Sequence, residues 1–176
     1  MLQRHFYLLG FMACGKTTVG RVLAQHLGCP SHDLDAQIEQ RHGSTIAALM
    51  AKHGEDAFRR LEADELRQAA QLPAGVVATG GGTPCFGSNM QFMKHQGITV
   101  YIELPAAELV ERLSAQMGHR PLLMGIAPAM MLPFVEQLLA QRHPIYSQAH
   151  HRVEASDLSP EQLAEAIGKL LPLKLP

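Results

Sequence analysis

The sequence predicts a three-layer α/β fold in which a five-stranded parallel sheet lies between helices. Short apolar runs of the kind that buried parallel strands need alternate with segments whose apolar residues recur at helical spacing. The first run, 6–9, leads directly into a glycine-rich segment, 10–17, and then into a helix predicted over 18–27. A strand, a glycine-rich loop and a helix in this order are typical of α/β proteins that bind phosphate groups.

The glycine-rich segment fits the pattern G-x-x-x-x-G-K-[ST] at every fixed position, with Gly10, Gly15, Lys16 and Thr17. Backbone N–H groups in such a loop and the positive end of the following helix attract a phosphate, and glycine permits a close approach. Lys16 is expected to reach the β- and γ-phosphates of a nucleotide, and Thr17 to offer its hydroxyl to Mg²⁺. The alternative is a glycine-rich turn that only caps a helix.

Length and composition narrow the classes of protein. We expect a single domain, because 176 residues suit one. The formal charge is −1 and no basic run is present, so nucleic acid is not an expected partner. No apolar run has the length of a membrane-spanning helix, so no membrane contact is expected. The cysteines Cys14, Cys29 and Cys85 are irregularly spaced, which suits the reducing cytoplasm.

Two aspartates follow the first helix, separated by one apolar residue. If the segment is extended, Asp33 and Asp35 face one side while Leu34 faces the core. One carboxylate would then act through the water shell of Mg²⁺, and the other would orient or deprotonate an acceptor hydroxyl. The alternative is that Asp35 merely caps a helix predicted over 36–41.

Two helices are predicted next. Ser44 is expected to cap a short helix that ends at Gly54, and a longer helix is predicted over about 55–71. In the longer helix Arg59 and Glu62 lie three residues apart and can pair on one face. Taken alone, such a pair is typical of a solvated helix surface.

A predicted strand beginning at Val76 runs directly into Gly80, Gly81 and Gly82. Three missing side chains at the carboxyl end of a parallel strand indicate that the backbone approaches a ligand closely, because ligands of open α/β sheets bind there. The alternative is a flexible hinge.

The segment from Gln116 to Pro133 follows a predicted strand over 98–102 and a helix from Pro105 to Ser114. It contains two glycines, three prolines and four methionines, and Arg120 is its only lysine or arginine. This composition predicts a mobile lid whose arginine closes over phosphates. The alternative is an ordinary surface loop.

The last elements are a helix predicted over 134–141, a short strand over 152–154 and a terminal helix. The helix leads into Arg142, which begins the sequence RHPIY. Ser159 is the expected N-cap of the terminal helix, with Pro160 at its first position.

Together these motifs resemble the shikimate kinases, a family of phosphate-loop kinases related to the nucleoside monophosphate kinases. The matching segments are GFMACGKTT from Gly10, DLD from Asp33, FRRLE from Phe58, GGG from Gly80, RPLL from Arg120 and RHPIY from Arg142. The resemblance implies a cytoplasmic, monomeric kinase that uses Mg²⁺ and ATP to phosphorylate the 3-hydroxyl of shikimate in aromatic amino acid biosynthesis. It also implies one kinase domain over 1–176, with a lid at about 116–133 and a substrate-binding helical region at about 35–65.

The resemblance assigns roles to individual residues. Lys16, Asp35 and Arg120 would be catalytic, and Thr17 and Asp33 would serve the metal. Shikimate would contact Asp35, Arg59, Arg142 and the glycines Gly80, Gly81 and Gly82. ATP would contact Gly10, Ala13, Cys14, Gly15, Lys16, Thr17, Thr18, Arg112, Arg120 and Pro160. The family usually carries glycine where this chain has Ala13.

Two other functions stay open. A gluconate-type or other small-metabolite kinase of the same fold would not need both Arg59 and Arg142 as carboxylate clamps. A nucleotide-binding regulator without turnover is the second alternative. The presence of Lys16, Asp33, Asp35 and Arg120 argues against it.

Overall fold

The computed structural model describes residues 4–115 and 125–170. In these residues one parallel sheet has the strand order β2-β3-β1-β4-β5. Its strands are β1 (His5–Leu9), β2 (Ser31–Asp33), β3 (Val76–Ala78), β4 (Gly97–Glu103) and β5 (His151–Glu154). The predicted five-stranded parallel sheet is therefore confirmed.

Helices cover both faces of the sheet. They are α1 (Lys16–Leu27), α2 (Leu34–His42), α3 (Ile46–His53), α4 (Glu55–Ala69), α5 (Asn89–Gln96), α6 (Ala106–Ser114), α7 (Met131–Tyr146) and α8 (Pro160–Leu170). Short 3₁₀ turns lie at Thr83–Cys85 and Pro128–Met130. None of the helices in the described ranges is long and apolar enough to cross a membrane.

The alternation of side chains along the central strand separates the core into two layers. Phe6 and Leu8 of β1 belong to a cluster with α1, α6 and α8. Tyr7 and Leu9 point the other way, into a cluster with α4, α5 and the end of α7. Successive side chains of a strand face opposite sides of the sheet, so one buried strand supplies both cores. The three-layer architecture follows from this.

The carboxyl ends of β1, β2 and β3 meet at one edge of the sheet because these strands are parallel neighbours. The phosphate loop leaves β1 at Gly10, Asp33 ends β2, and the triple glycine begins two residues after β3. The topology therefore gathers three of the predicted motifs at the edge where open α/β sheets bind their ligands.

Two predicted helix boundaries are wrong. Thr45, rather than Ser44, caps α3, since its side chain accepts a hydrogen bond from the Ala48 N–H at 3.2 Å. Helix α7 does not stop at Gln141 but continues through Pro144 to Tyr146. Proline usually ends a helix. Here the last turn is held by Tyr146, which is fully buried and donates a hydrogen bond to the Gly81 carbonyl.

Candidate active site

The phosphate loop holds the ammonium of Lys16 inside its curve. Lys16 is 8% exposed, and its Nζ donates to the carbonyls of Gly10 at 2.9 Å and Phe11 at 2.8 Å. The Nζ also lies 3.6 Å from Cys14 Sγ. Helix α1 begins at Lys16, so the cation and the positive end of that helix act on the same space. The arrangement is suited to a phosphate chain.

Ala13 has a left-handed backbone, with φ 63°. This region costs about 1–2 kcal/mol for a residue that has a Cβ. Gly10 and Gly15 also have positive φ, at 146° and 98°, but glycine bears no such cost. The loop therefore keeps the left-handed conformation at Ala13 although glycine is not there, and strain of this kind concentrates at functional sites.

Thr17 and the two aspartates line one cleft with the phosphate loop. The cleft has a volume of about 200 Å³ and also contacts Lys16 and Gly81. Thr17 Oγ1 donates to Asp33 Oδ2 at 2.5 Å. The Thr17 and Asp33 oxygens form a hydroxyl–carboxylate pair beside a phosphate site.

This pair fits Mg²⁺, which prefers oxygen ligands and is bound through one or two carboxylates together with substrate phosphates and waters. Within residues 4–115 and 125–170, no group of three or more His, Cys, Asp or Glu side chains could hold a metal. A magnesium ion shared with a nucleotide does not need such a group. The donor set is thus compatible with a metal held jointly by protein and substrate.

The two aspartates reach the cleft by a different geometry from the extended one predicted. Asp33 ends β2 and caps α2, since its Oδ1 accepts from the Ala36 N–H at 3.1 Å. Helix α2 begins at Leu34, which is fully buried as predicted. The proposal that Asp35 caps this helix is wrong, because Asp35 lies in its first turn. A capping role therefore does not explain why Asp35 is there.

The triple glycine makes room for charged side chains. A Cβ at Gly80 would clash with the Glu62 carboxylate and lie 2.9 Å from Asp35 Oδ1. A Cβ at Gly82 would clash with the Arg59 guanidinium, and one at Gly81 would lie 3.2 Å from Arg142 Nη1. Side chains therefore pack closely against all three glycines, which argues against the alternative that this segment is a flexible hinge.

Arg59 and Glu62 do not form a solvated surface pair. Glu62 is 1% exposed and binds Arg59 Nη1. Arg59 Nη2 also pairs with Glu55 Oε1 at 2.8 Å. Burial works against the charged form of Arg59, but Glu62 and Glu55 outweigh it and raise the pKa of the guanidinium. Arg59 therefore stays cationic, and its orientation is set from two sides.

Arg142 is a buried cation with an unused donor. Its residue is 7% exposed, and its Nη1 is buried with no hydrogen-bond partner among the described residues. Its guanidinium carbon lies 5.5 Å from the centre of the Phe11 ring. An unsatisfied donor on a buried charge is costly. Arg142 is thus prepared for an anion that would complete its hydrogen bonds.

Both arginines act on the same small region. Partial desolvation raises the pKa of the Cys85 thiol although the residue is exposed, and the guanidiniums of Arg142 and Arg59 both oppose that rise. Cys85 follows the triple glycine by three residues. Two planar forks beside Gly81 and Gly82 could hold a small carboxylate, because each fork can give parallel hydrogen bonds to carboxylate oxygens.

A second cleft lies on the other side of the phosphate loop. Its volume is about 410 Å³, and its walls include Arg112 of α6 and Pro160 of α8. Most of the other walls are apolar, and they include Val19, Ala115, Ala155, Leu158 and Leu163. The phosphate-loop residues Ala13, Gly15 and Thr18 line both clefts. A planar base could lie in the apolar cleft while its phosphates follow the loop into the other.

The structure also brings in residues that the sequence reasoning missed. Tyr146 donates to the Gly81 carbonyl at 2.5 Å, and Thr83 donates to Glu62 Oε1 at 2.8 Å. Tyr146 lies four residues after Arg142 on one helix, a spacing that could have indicated it. Arg120 and the first half of the predicted lid, 116–124, lie outside the described residues. The last residues of the predicted lid, 131–133, form the start of α7.

One edge of the sheet carries a phosphate loop that opens a helix and a hydroxyl–carboxylate pair beside that loop. The same edge carries a base-sized cleft and two arginines that border the triple glycine. Together they define a phosphate-loop kinase that acts on a small anionic molecule.

Comparison with known proteins agrees. The shikimate kinase family profile matches residues 12–172. The chain is 38% identical over 169 residues to a shikimate kinase of Phocaeicola vulgatus, covering 96% of this chain and 97% of the relative. The chain belongs to the shikimate kinase family, which places it among the enzymes that transfer a phosphoryl group from ATP.

Solved structures show the same similarity. Shikimate kinase from Bacteroides thetaiotaomicron superposes with a TM-score of 0.89 at 36% identity, covering 95% of this chain and 97% of that one. Shikimate kinase from Acinetobacter baumannii, in complex with shikimate, gives 0.89 and 36%, covering 95% and 92%. A gluconokinase from Sinorhizobium meliloti shares the fold alone, with a TM-score of 0.61 at 18% identity, covering 95% and 91%.

Proposed function

We propose that the protein transfers the γ-phosphoryl group of ATP to the 3-hydroxyl of shikimate and so forms shikimate 3-phosphate. The observation that carries this proposal is the position of Arg59 and Arg142, whose guanidiniums both border the triple glycine. Shikimate has one carboxylate and several ring hydroxyls. A site that pairs two guanidiniums with exposed backbone groups suits that combination.

On the acceptor side, Arg59 and Arg142 bind the carboxylate, and Gly80, Gly81 and Gly82 give backbone contacts to ring hydroxyls. This fixes the ring so that one hydroxyl faces the phosphate loop. Asp35, in the cleft shared with Lys16, orients that hydroxyl and accepts its proton. Positioning of this kind supplies much of the rate of a phosphoryl transfer.

On the donor side, the phosphates lie along the N–H groups of residues 10–18 with Lys16 beside them. Thr17 and Asp33 would hold Mg²⁺, which when bound neutralises phosphate charge. Arg120 supplies a second cation over the transferred group, as a lone arginine in a lid would do. The base lies in the apolar cleft between Arg112 and Pro160, where a guanidinium can stack on it.

We further propose that the protein works as a monomer with one kinase domain over 1–176, located in the cytoplasm. Its lid would span about 116–133 and its substrate-binding helical region about 35–65. We do not expect a nucleic acid partner, because the formal charge is −1 and the sequence has no basic run.

A coupled assay of ADP release tests the substrate assignment against the two alternatives. With Mg²⁺ and ATP, we expect ADP release on addition of shikimate, and only background release with gluconate or with no acceptor. Release that depends on gluconate would favour the small-metabolite kinase. Binding of ATP without release for any acceptor would favour the regulator.

A further inference from the structure

The buried carboxylate of Glu62 divides its two oxygens between two partners. Oε2 binds Arg59 Nη1, and Oε1 accepts from Thr83 Oγ1 at 2.8 Å. Glu62 is 1% exposed and Thr83 is fully buried. Each oxygen therefore depends on a donor from the protein, because water does not reach this carboxylate.

The backbone of Thr83 is itself fixed from both sides. Its N–H donates to the Gly80 carbonyl at 3.3 Å, and its carbonyl accepts from Asn89 Nδ2 at 2.9 Å. Asn89 is 1% exposed, and its Oδ1 accepts from Arg67 Nη1 at 3.2 Å. The backbone that carries the Thr83 hydroxyl is thus held by a chain of bonds that begins at Arg67 on α4, and the hydroxyl itself returns to α4 at Glu62.

The Thr83–Glu62 bond passes beside Gly80. A Cβ at Gly80 would lie 2.8 Å from Thr83 Oγ1 and would clash with Glu62 Oε1. The missing side chain at Gly80 therefore leaves space for this bond as well as for any ligand. Of the five N–H donors on a guanidinium, Arg59 uses one toward Glu62 and two toward Glu55. The direction of the two remaining N–H groups depends on the positions of the Glu62 and Glu55 carboxylates.

We propose that Thr83 is a positioning residue for the substrate carboxylate and acts through Glu62 and Arg59. Its hydroxyl holds Glu62 so that Arg59 presents its two remaining N–H groups beside Gly82. Without the hydroxyl, Glu62 is held at one oxygen only and turns, and Arg59 shifts toward the exposed Glu55. This inference rests on the proposed shikimate kinase activity.

The test compares Thr83→Val, which keeps the shape and removes the hydroxyl, with Thr83→Ser, which keeps the hydroxyl. We expect Thr83→Val to raise the KM for shikimate about 10-fold to 100-fold, the effect of removing a hydrogen bond to a charged group. The KM for ATP and kcat should stay within about threefold. Thr83→Ser should restore the shikimate KM to within about threefold of the wild type.

Thr99→Val is the matched control. Thr99 lies on β4 and is also fully buried, and its hydroxyl accepts a hydrogen bond from the His150 N–H at 3.0 Å. It has no hydrogen bond to the triple glycine among the described residues. We expect its shikimate KM to stay at the wild-type value. If Thr83→Val does not give folded protein, Thr83→Ala carries the same expectation.

Three outcomes would overturn the proposal. They are a shikimate KM for Thr83→Val within twofold of the wild type, an equal loss in Thr83→Ser, or a parallel rise in the KM for ATP. A wild-type protein that releases no ADP with shikimate would instead contradict the proposed function, so the two failures are distinguishable.

Discussion

Replacement of Arg142 separates a binding role from a structural one, because the two roles predict opposite effects on stability. Arg142 is 7% exposed, and its Nη1 has no hydrogen-bond partner among the described residues. Methionine can fill much of the same volume without charge. If Arg142 stands ready for the substrate carboxylate, Arg142→Met should abolish tight shikimate binding while the substrate-free protein loses no stability.

The expected effects of Arg142→Met on shikimate affinity and on stability both follow from the burial of the guanidinium. Truncating one partner of a buried, hydrogen-bonded charge pair costs about 2–5 kcal/mol, which is about 30-fold to 4,000-fold in the dissociation constant for shikimate. Removal of an unsatisfied buried donor should leave the stability of the substrate-free protein unchanged or raise it by about 1 kcal/mol. For a chain of this size, that rise corresponds to about 2–4 °C in Tm.

Calorimetry with shikimate, and separately with Mg–ATP, measures the first effect. Thermal unfolding without ligands measures the second. Arg142→Lys is the matched variant, because it keeps the charge and loses the planar guanidinium. Its affinity for shikimate should therefore lie between that of the Arg142→Met variant and that of the wild type. The binding role of Arg142 is refuted if Arg142→Met binds shikimate normally, or if this variant loses ATP binding and keeps shikimate binding.

The two aspartates should diverge on substitution. Asp33→Asn should keep the cap of α2 but weaken the apparent affinity for Mg²⁺, so raised Mg²⁺ should restore part of the activity. Asp35→Asn should lower kcat about 10²–10⁴-fold at any Mg²⁺ concentration. A Mg²⁺ titration of both variants at saturating ATP and shikimate measures the difference. Arg120→Ala should lower kcat about 10³-fold or more, with a smaller effect on shikimate binding by calorimetry. Burial, with a smaller contribution from nearby His32, lowers the pKa of His5 below 6.5. As the pH falls, His5 therefore binds a proton in the unfolded protein before it does so in the folded protein. The free energy of unfolding should fall as the pH drops below 6.5, by at most about 1.4 kcal/mol per pH unit. His5→Gln should flatten this part of a series of denaturation measurements at different pH values.

Each of these predictions has a contradicting result. An active Asp35→Asn enzyme would mean that this carboxylate takes no part in the reaction, and equal Mg²⁺ dependence of both variants would remove the distinction between them. Near-wild-type kcat in Arg120→Ala would reduce its segment to a passive loop. Unchanged pH dependence in His5→Gln would show that the acid sensitivity arises from other groups.

The sequence predicted the sheet and the phosphate loop because both depend on local information. Five strand segments and the G-x-x-x-x-G-K-[ST] spacing can be recognised within short windows. The sequence also indicated that Asp33 and Asp35 face one cleft. It did so on a wrong premise, since an early start of α2 at Leu34, rather than an extended strand, turns Asp35 inward.

Features that depend on distant packing could not be predicted. The spacing of Arg59 and Glu62 predicts a pair but not its burial, which comes from α4 packing near Thr83 and Gly80. The helix α7 continues through Pro144, and its last residue, Tyr146, donates a hydrogen bond to Gly81, 65 residues away, which no local pattern indicates. The unused donor of Arg142 is likewise visible only once its surroundings are known.

The measurement that tests the central claim most directly identifies the product. The purified protein is incubated with Mg²⁺, ATP and shikimate, and ³¹P and ¹H NMR spectra follow the phosphate and the ring protons. We expect one ADP for each shikimate consumed, with the new phosphate coupled to the proton at carbon 3. ATP that remains intact in the presence of shikimate, or a phosphate on another hydroxyl, would contradict it.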